Sequence, residues 1–248
     1  MRKNYKLKIS YDGTRYFGWE HQPNKPTIQG ALENAISKMC NIPVSDVEIS
    51  GAGRTDAGVH ARAMIASVVM DTNRSCDSAL EFLNKNLPSD ISVLDVKEAS
   101  DRFHARYNAA GKTYMYSIYN GPCKPIFDRK YVTVVDTPLD VEAMRKASAD
   151  IIGEHDFKSF CGNSHFKKSC VRIVDNVEVR CSKGYIHISF HGTGFLQNMV
   201  RILAGTLIEI GAGRMAPDAI VAIIDGKDRN LAGPTAPAKG LCLLDVDY

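Results

Sequence analysis

The sequence predicts an α+β fold built on a mostly antiparallel sheet, and two observations lead to this prediction. Strand-like segments with alternating apolar residues are interspersed with segments of helical periodicity along all 248 residues. Two strand-like segments, 171–181 and 184–192, are joined near Lys183-Gly184 as partners in a hairpin, a connection that only antiparallel strands allow. Strict alternation of strand and helix, which is typical of parallel sheets, does not occur in the pattern.

The first half of the chain opens with a half-buried strand, because the segment 5–11 alternates apolar and polar residues. A helix follows over 27–40, with apolar residues at helical spacing and Thr27 as a possible cap. The other elements predicted in this half are strands at 47–50, 61–71 and 91–99, and a helix over 78–87 that Asp77 caps and Pro88 ends.

A similar order starts again near Arg106, so the sequence predicts an N-terminal half at 1–105 and a C-terminal half at 106–248. We expect the halves to share one continuous sheet, because no low-complexity linker separates them. The elements predicted in the second half are a strand at 111–121, a helix over 139–153 ended by Gly153, the hairpin, a long helix from about Phe195 to Ile210, a helix opened by Pro217 and closed by Gly226, and a strand at 241–248.

Composition narrows the class of protein without fixing its function. Hydrophobic content of 44% and a net charge of +3 are ordinary for a globular protein and permit nucleic-acid binding without demanding it. Seven scattered cysteines with no C-x-x-C pair argue against a disulfide framework or a zinc ribbon. No segment resembles a signal peptide or a membrane span, so we expect a cytoplasmic protein that does not engage a membrane.

The glycine-rich stretch 51–61, GAGRTDAGVHA, resembles a phosphate cradle but fails its spacing rules. A dinucleotide fingerprint that starts at Gly51 needs glycine where the chain has Asp56. A P-loop needs Gly-Lys-Ser/Thr, which Ala57-Gly58-Val59 does not supply. A carboxylate among phosphate-facing amides would also repel the ligand, so a nucleotide-dependent enzyme is disfavoured.

Two interpretations of Asp56 stay open at this point. It can cap a turn or short helix, or it can serve as a nucleophile beside Arg54, which would contact an anionic polymer. A nucleophilic carboxylate needs a fixed positive partner to stay ionised in a dry site. Arg201, on the polar stripe of the long helix, is a candidate, although its partner could equally be Glu209 or a surface aspartate.

Seven blocks in this order closely resemble the tRNA pseudouridine synthase A family over essentially the whole chain. The most specific block is GRTDAGVHA, residues 53–61. The blocks are YDGTRYFGWEHQPNKPTIQGALE, GAGRTDAGVHA, FHAR, KTYMYSIYN, GEHDFKSFC, GFLQNMVRILAG and GPTAPAKGLCLLDVDY.

The resemblance implies a pseudouridine synthase fold of two similar α+β halves sharing a central, mostly antiparallel sheet flanked by helices. It implies a homodimer that isomerises uridine to pseudouridine at positions 38, 39 and 40 of the tRNA anticodon stem-loop, without cofactor or metal. By motif position, Asp56 matches the nucleophile, Arg201 its basic partner, Tyr114 the tyrosine that stacks on the target base, and Arg54 an arginine that holds the flipped nucleotide.

Several alternatives remain on the sequence alone. Asp56 could attack the pyrimidine ring, attack the sugar, or take a proton while a glycal forms. Two stretches, 61–70 and 166–179, depart from the usual family pattern, which leaves room for a paralogue acting on another uridine. A tRNA-folding chaperone without catalysis is a further hypothesis, which an intact Asp56 disfavours because a pure RNA binder gains nothing from a buried negative charge.

Overall fold

The computed structural model describes residues 2–163 and 165–248. These residues divide into two compact units. Unit 1 contains the described residues up to Ala110 together with Leu243–Tyr248, and unit 2 contains the described residues of Gly111–Cys242.

Unit 1 is a small antiparallel sheet with helices packed on it. The first strand pairs with the third on one side and with the fourth on the other, and the short second strand pairs antiparallel with the third. The first helix packs on the third strand and the second helix on the fourth. The elements are β1 (Arg2–Tyr11), α1 (Ile28–Cys40), β2 (Ile49–Gly51), β3 (His60–Asp71), α2 (Cys76–Asn86) and β4 (Ile91–Ala99).

Unit 2 repeats this plan with a different strand order. Its long strands pair antiparallel in the order fifth, ninth, eighth, seventh, and a two-residue strand pairs parallel to the fifth. The elements are β5 (Gly111–Tyr119), β6 (Thr133–Val134), α3 (Val141–Ala149), β7 (Gly153–Asp156), β8 (Val171–Ser182), β9 (Tyr185–Gly192), α4 (Met199–Gly211) and α5 (Ala219–Gly226). The final strand, β10 (Leu241–Asp247), has its first two residues in unit 2 and the others in unit 1.

The predicted fold class is confirmed: helices flank sheet strands that pair antiparallel almost throughout. The alternation in β1 buries Tyr5, Leu7, Ile9 and Tyr11, all at most 4% exposed, so one face of the strand forms core. The predicted hairpin is present between β8 and β9, where Lys183 and Gly184 both adopt positive φ, 51° and 81°. Positive φ at both central residues is what a tight type I′ turn requires.

Two helix boundaries in unit 1 test the capping predictions. Thr27 caps α1 as predicted, because its side chain accepts a hydrogen bond from the Gly30 amide at 3.2 Å. The prediction that Asp77 caps α2 is wrong, since Ser75 takes this place and accepts from the Ser78 amide at 3.2 Å. Asp77 lies in the first turn of the helix instead, where its charge favours the helix dipole.

Two helices in unit 2 are shorter than predicted. Gly153 does not end α3, because that helix stops at Ala149. Gly153, with φ +128°, is instead the first residue of strand β7. The long helix begins at Met199 and not near Phe195, because Asn198 adopts a left-handed conformation with φ 59°. A left-handed residue cannot continue a right-handed helix, so the apolar periodicity before it belongs to a packed loop.

Candidate active site

The loop that carries Asp56 joins β2 to β3 in unit 1 and folds as a tight turn. The carbonyl oxygen of Asp56 accepts a hydrogen bond from the Val59 amide at 3.1 Å. Gly58 has φ +79°, the conformation that the third position of a type II turn needs. The Asp56 side chain is half-buried, between exposed Ala57 and buried Thr55. The turn therefore fixes the direction in which the carboxylate leaves the backbone.

Residues 11–19 form hydrogen bonds with this loop and restrict its conformation. The Trp19 amide donates to the Thr55 carbonyl at 3.0 Å, and the Gly58 amide donates to the Tyr16 carbonyl at 3.3 Å. The hydroxyls of Tyr11 and Thr55 share a buried hydrogen bond of 2.8 Å. Asp56 thus lies between two anchored neighbours, which is the preorganisation that a reacting group needs.

His60 is a supporting residue that the sequence analysis did not single out. It is 5% exposed, and its Nδ1 accepts a hydrogen bond from the Gly13 amide at 3.1 Å. The same Nδ1 lies 3.2 Å from Oδ1 of Asp12, so the alternative tautomer would donate to that carboxylate. Either tautomer ties the end of the Asp56 loop to the turn at 12–15. Its place inside the GRTDAGVHA block is the signal that could have identified it.

Arg54 lies on the surface of the same loop. Its guanidinium forms an ion pair with Glu20 at 2.5 Å, and the two side chains are 64% and 48% exposed. Exposed pairs of this kind contribute little to stability, typically about 0–1 kcal/mol. The pair therefore leaves Arg54 at the surface of the loop, two residues before Asp56 in the chain.

Arg201 in unit 2 is held by the first turn of α4 and by the segment 233–237. Its Nε donates to the Ala236 carbonyl at 2.8 Å, and its Nη1 donates to Oδ1 of Asn198 at 3.0 Å. The Ala236 amide donates back to the Arg201 carbonyl at 3.1 Å. Glu209, considered as a partner from the sequence, is bound by Arg214 instead, whose hydrogen bond lowers the pKa of that carboxyl against the opposing effect of burial.

Tyr114 lies on β5 of unit 2 and is 8% exposed. Its ring meets the ring of Phe195 edge-on, with centroids 5.4 Å apart and an interplanar angle of 86°. This contact fixes the plane of the Tyr114 ring relative to that of Phe195.

Tyr116, two residues along the strand from Tyr114, is fully buried. Its hydroxyl shares a hydrogen bond of 2.6 Å with Thr133 and donates to the Pro237 carbonyl at 2.9 Å. Burial raises the pKa of Tyr116 to about 12, so the phenol is neutral at ordinary pH. Through Pro237, this side chain fixes the segment that binds Arg201.

The four predicted site residues fall into two pairs by unit. Arg54 and Asp56 share one loop of unit 1, whereas Tyr114 and Arg201 lie on β5 and α4 of unit 2, which pack on each other. The roles assigned to them, and the partnership of Asp56 with Arg201, stay predictions.

Within residues 2–163 and 165–248, no group of three or more histidine, cysteine or acidic side chains could hold a metal ion. None of the helices formed by these residues is long and apolar enough to cross a bilayer.

Comparison with known proteins gives a consistent family assignment. The model of the tRNA pseudouridine synthase family matches residues 8–108 and 147–248. A tRNA pseudouridine synthase A of Bacillus sp. (strain KSM-64) is 44% identical over 246 residues, 99% of this chain and 99% of the relative. A tRNA pseudouridine synthase A of Caldicellulosiruptor bescii is 45% identical over 99% of this chain and 100% of the relative. A tRNA pseudouridine synthase A 2 of Clostridium perfringens is 42% identical over the same shares of the two chains. The chain therefore belongs to the tRNA pseudouridine synthase family.

Proposed function

We propose that this protein isomerises uridine to pseudouridine at positions 38, 39 and 40 of the tRNA anticodon stem-loop. The observation that supports it most is Asp56, presented on an anchored turn inside the block GRTDAGVHA of a chain that matches synthases along its length. The reaction breaks the N1–C1′ bond of uridine and joins C1′ to C5. N1 gains the proton that C5 loses, so the reaction balances without a second substrate, and the family resemblance implies that it proceeds without a cofactor.

Asp56 acts as the nucleophile in this proposal. A carboxylate can add to the pyrimidine ring, attack C1′ of the ribose, or remove a proton while a glycal forms. Each route needs the carboxylate ionised and close to a nucleotide that has left the base stack, and unstacking costs a few kcal/mol. The supports at Trp19, Tyr16 and His60 keep Asp56 in one orientation, so less of the substrate's binding energy is used to order the loop.

The other three residues divide the remaining work. Arg201 supplies the positive partner of the Asp56 carboxylate. Tyr114, braced by Phe195, stacks on the extruded uracil and recovers about 1–3 kcal/mol of the unstacking cost. Arg54 exchanges Glu20 for the backbone of the flipped nucleotide.

Substrate choice follows from RNA shape and backbone charge more than from base edges, which fits modification of several adjacent positions. As the family resemblance implies, we propose that two copies assemble into a homodimer that binds one tRNA across both subunits, in the cytoplasm. Sedimentation of the purified protein tests the dimer, and a monomer at working concentration would contradict it.

The deciding experiment incubates the purified protein with unmodified tRNA, without added cofactor, and maps pseudouridine. We expect product at positions 38–40 with the wild type, none with Asp56→Asn, and normal product with Asp46→Asn, which changes an exposed aspartate of the same unit. Asp56→Asn should still bind tRNA, because it keeps the shape of the loop.

Each outcome separates one alternative. Full activity of Asp56→Asn refutes the nucleophile, and product at another uridine refutes the target positions but keeps the reaction. If the wild type binds and folds tRNA without forming pseudouridine, the protein is a chaperone and the proposal is wrong.

A further inference from the structure

Tyr107 of unit 1 is 79% exposed, although nothing proposed for catalysis uses it. It lies in the turn formed by residues 104–108, which follows strand β4 at the surface. A single exposed tyrosine on a mobile loop would need no explanation. The contacts of this turn show that the ring is instead held in place.

The turn is closed by hydrogen bonds that converge on His104. The His104 amide donates to Oδ1 of Asn108 at 2.7 Å, and the Asn108 amide donates to the His104 carbonyl at 3.1 Å. Nδ1 of His104 accepts from the amides of Arg106 and Tyr107 at 3.1 and 3.4 Å. Both ends of the turn and its middle are therefore bound to one residue.

The turn is also anchored in the core through Ala105, which is fully buried. The Ala105 amide donates to the hydroxyl of Ser67 at 3.1 Å, and its carbonyl accepts from the hydroxyl of Tyr248 at 2.6 Å. Because Ala105 faces inward on a closed turn, the following residues, Arg106 and Tyr107, are directed into solvent.

The imidazole of His104 supports the exposed ring from one side. The two ring centroids are 4.3 Å apart with an interplanar angle of 33°. With an exposure of 79%, the opposite face of Tyr107 is open to solvent. Arg106, which is exposed and precedes Tyr107 in the chain, adds a positive charge to the same turn.

We infer that Tyr107, supported by His104 and flanked by Arg106, is a stacking platform for an unpaired tRNA base other than the uridine that reacts. The inference rests on the proposed function, because it takes tRNA as the ligand. Every base offers a flat face to an aromatic ring, whatever its sequence, and the phosphate next to a stacked base lies within reach of an adjacent arginine. A preordered ring loses little conformational entropy on binding, which is what the closed turn provides.

The first test measures equilibrium binding of unmodified tRNA by proteins that carry Asp56→Asn, so that turnover does not intervene. Tyr107→Ala should raise Kd about five- to 150-fold, which is the usual range for losing one aromatic-base contact. Tyr107→Phe keeps the ring and should stay within about twofold. Tyr107→Ala should leave the salt dependence of Kd unchanged, whereas Arg106→Ala should reduce the slope by about one unit.

The second test reads the contact directly. Trp19, the single tryptophan of the chain, is 2% exposed, so the signal of an indole introduced by Tyr107→Trp is the difference from the same titration of the protein that keeps Tyr107. We expect added tRNA to quench this fluorescence. Saturation with tRNA without quenching, together with an unchanged Kd for Tyr107→Ala, would overturn the inference.

Failure of this inference can be told from failure of the proposed function. If the wild type forms pseudouridine while Tyr107→Ala binds tRNA normally, only the platform is wrong. If tRNA binding depends on Tyr107 but no pseudouridine forms, the platform stands and the enzyme assignment falls. A loss of self-association in Tyr107→Ala, with tRNA binding intact, would assign the ring to a subunit contact and overturn the platform.

Discussion

Gly205→Ala should destabilise the protein, although alanine is the better helix former. A Cβ added to Gly205 in α4 would lie 1.8 Å from the Pro234 carbonyl oxygen, and ordinary contact begins at 3.4 Å. Helix and segment must therefore separate by about 1.6 Å. The higher helix propensity of alanine stabilises the folded state by about 1 kcal/mol, whereas overpacking destabilises it by about 1–3 kcal/mol. Losing the two hydrogen bonds between Arg201 and Ala236 destabilises it by about 1 kcal/mol for each bond. The expected net loss is about 2–4 kcal/mol.

Urea unfolding of the wild type and of two alanine variants measures this loss. Gly211→Ala, on the same helix, is the control, because its new Cβ would meet Sδ and Cγ of the unbranched Met144 side chain at 2.8 and 2.9 Å, while the nearest backbone atom, the Asp140 carbonyl oxygen, lies at an ordinary contact distance of 3.5 Å. It should stay within about 1 kcal/mol of the wild type. Gly205→Ala should also lower kcat more than it raises KM, since the Arg201 guanidinium loses the hydrogen bond to Ala236 that orients it. Gly205→Ala at least as stable as the wild type would refute the reasoning.

Two further predictions concern buried polar groups. His60→Leu leaves the Gly13 amide without its acceptor, so it should lower the free energy of unfolding by about 1–3 kcal/mol and also lower kcat. His60→Asn can place an oxygen near this amide, so it should lose less stability and less kcat. Equal losses in the two variants would contradict the positioning role of His60. The pKa of Tyr116 is raised to about 12 in the folded protein. Its contribution to the free energy of unfolding is therefore complete below pH 10 and is lost as pH rises from 10 to 12. The free energy of unfolding should fall less steeply over this range in Tyr116→Phe, and identical slopes would show that Tyr116 does not cause the loss.

The local spacing of apolar and turn-forming residues predicts most of the secondary structure. The alternation in β1, the cap at Thr27 and the hairpin turn at Lys183-Gly184 are short-range signals, because each depends on residues a few positions apart. The predicted start of α4, near Phe195, is wrong for a physical reason. The apolar spacing of the helix continues back to Phe195, and this spacing does not show that Asn198 adopts a left-handed conformation.

The hydrogen bonds that support the candidate site join residues far apart in the sequence. Tyr11 and Thr55 are 44 positions apart, and Gly13 and His60 are 47 apart. No periodicity connects such pairs, since their contact results from the pairing of β1 with β3. Resemblance to a family could name Asp56 and Tyr114, but only coordinates could identify the bonds that hold the Asp56 loop.

The division of β10 has a consequence for how the chain folds as it leaves the ribosome. Unit 1 is completed by Leu243–Tyr248, where the Tyr248 hydroxyl binds the Ala105 carbonyl at 2.6 Å and the Asp247 carbonyl binds the Ala110 amide at 2.8 Å. At about 5–20 residues per second, the ribosome needs roughly 7–28 s to pass from Ala110 to Tyr248. Throughout that interval the edge of β3 that pairs with β10 is covered only by the three-residue strand β2, so the nascent N-terminal unit exposes a strand edge on which another chain can pair.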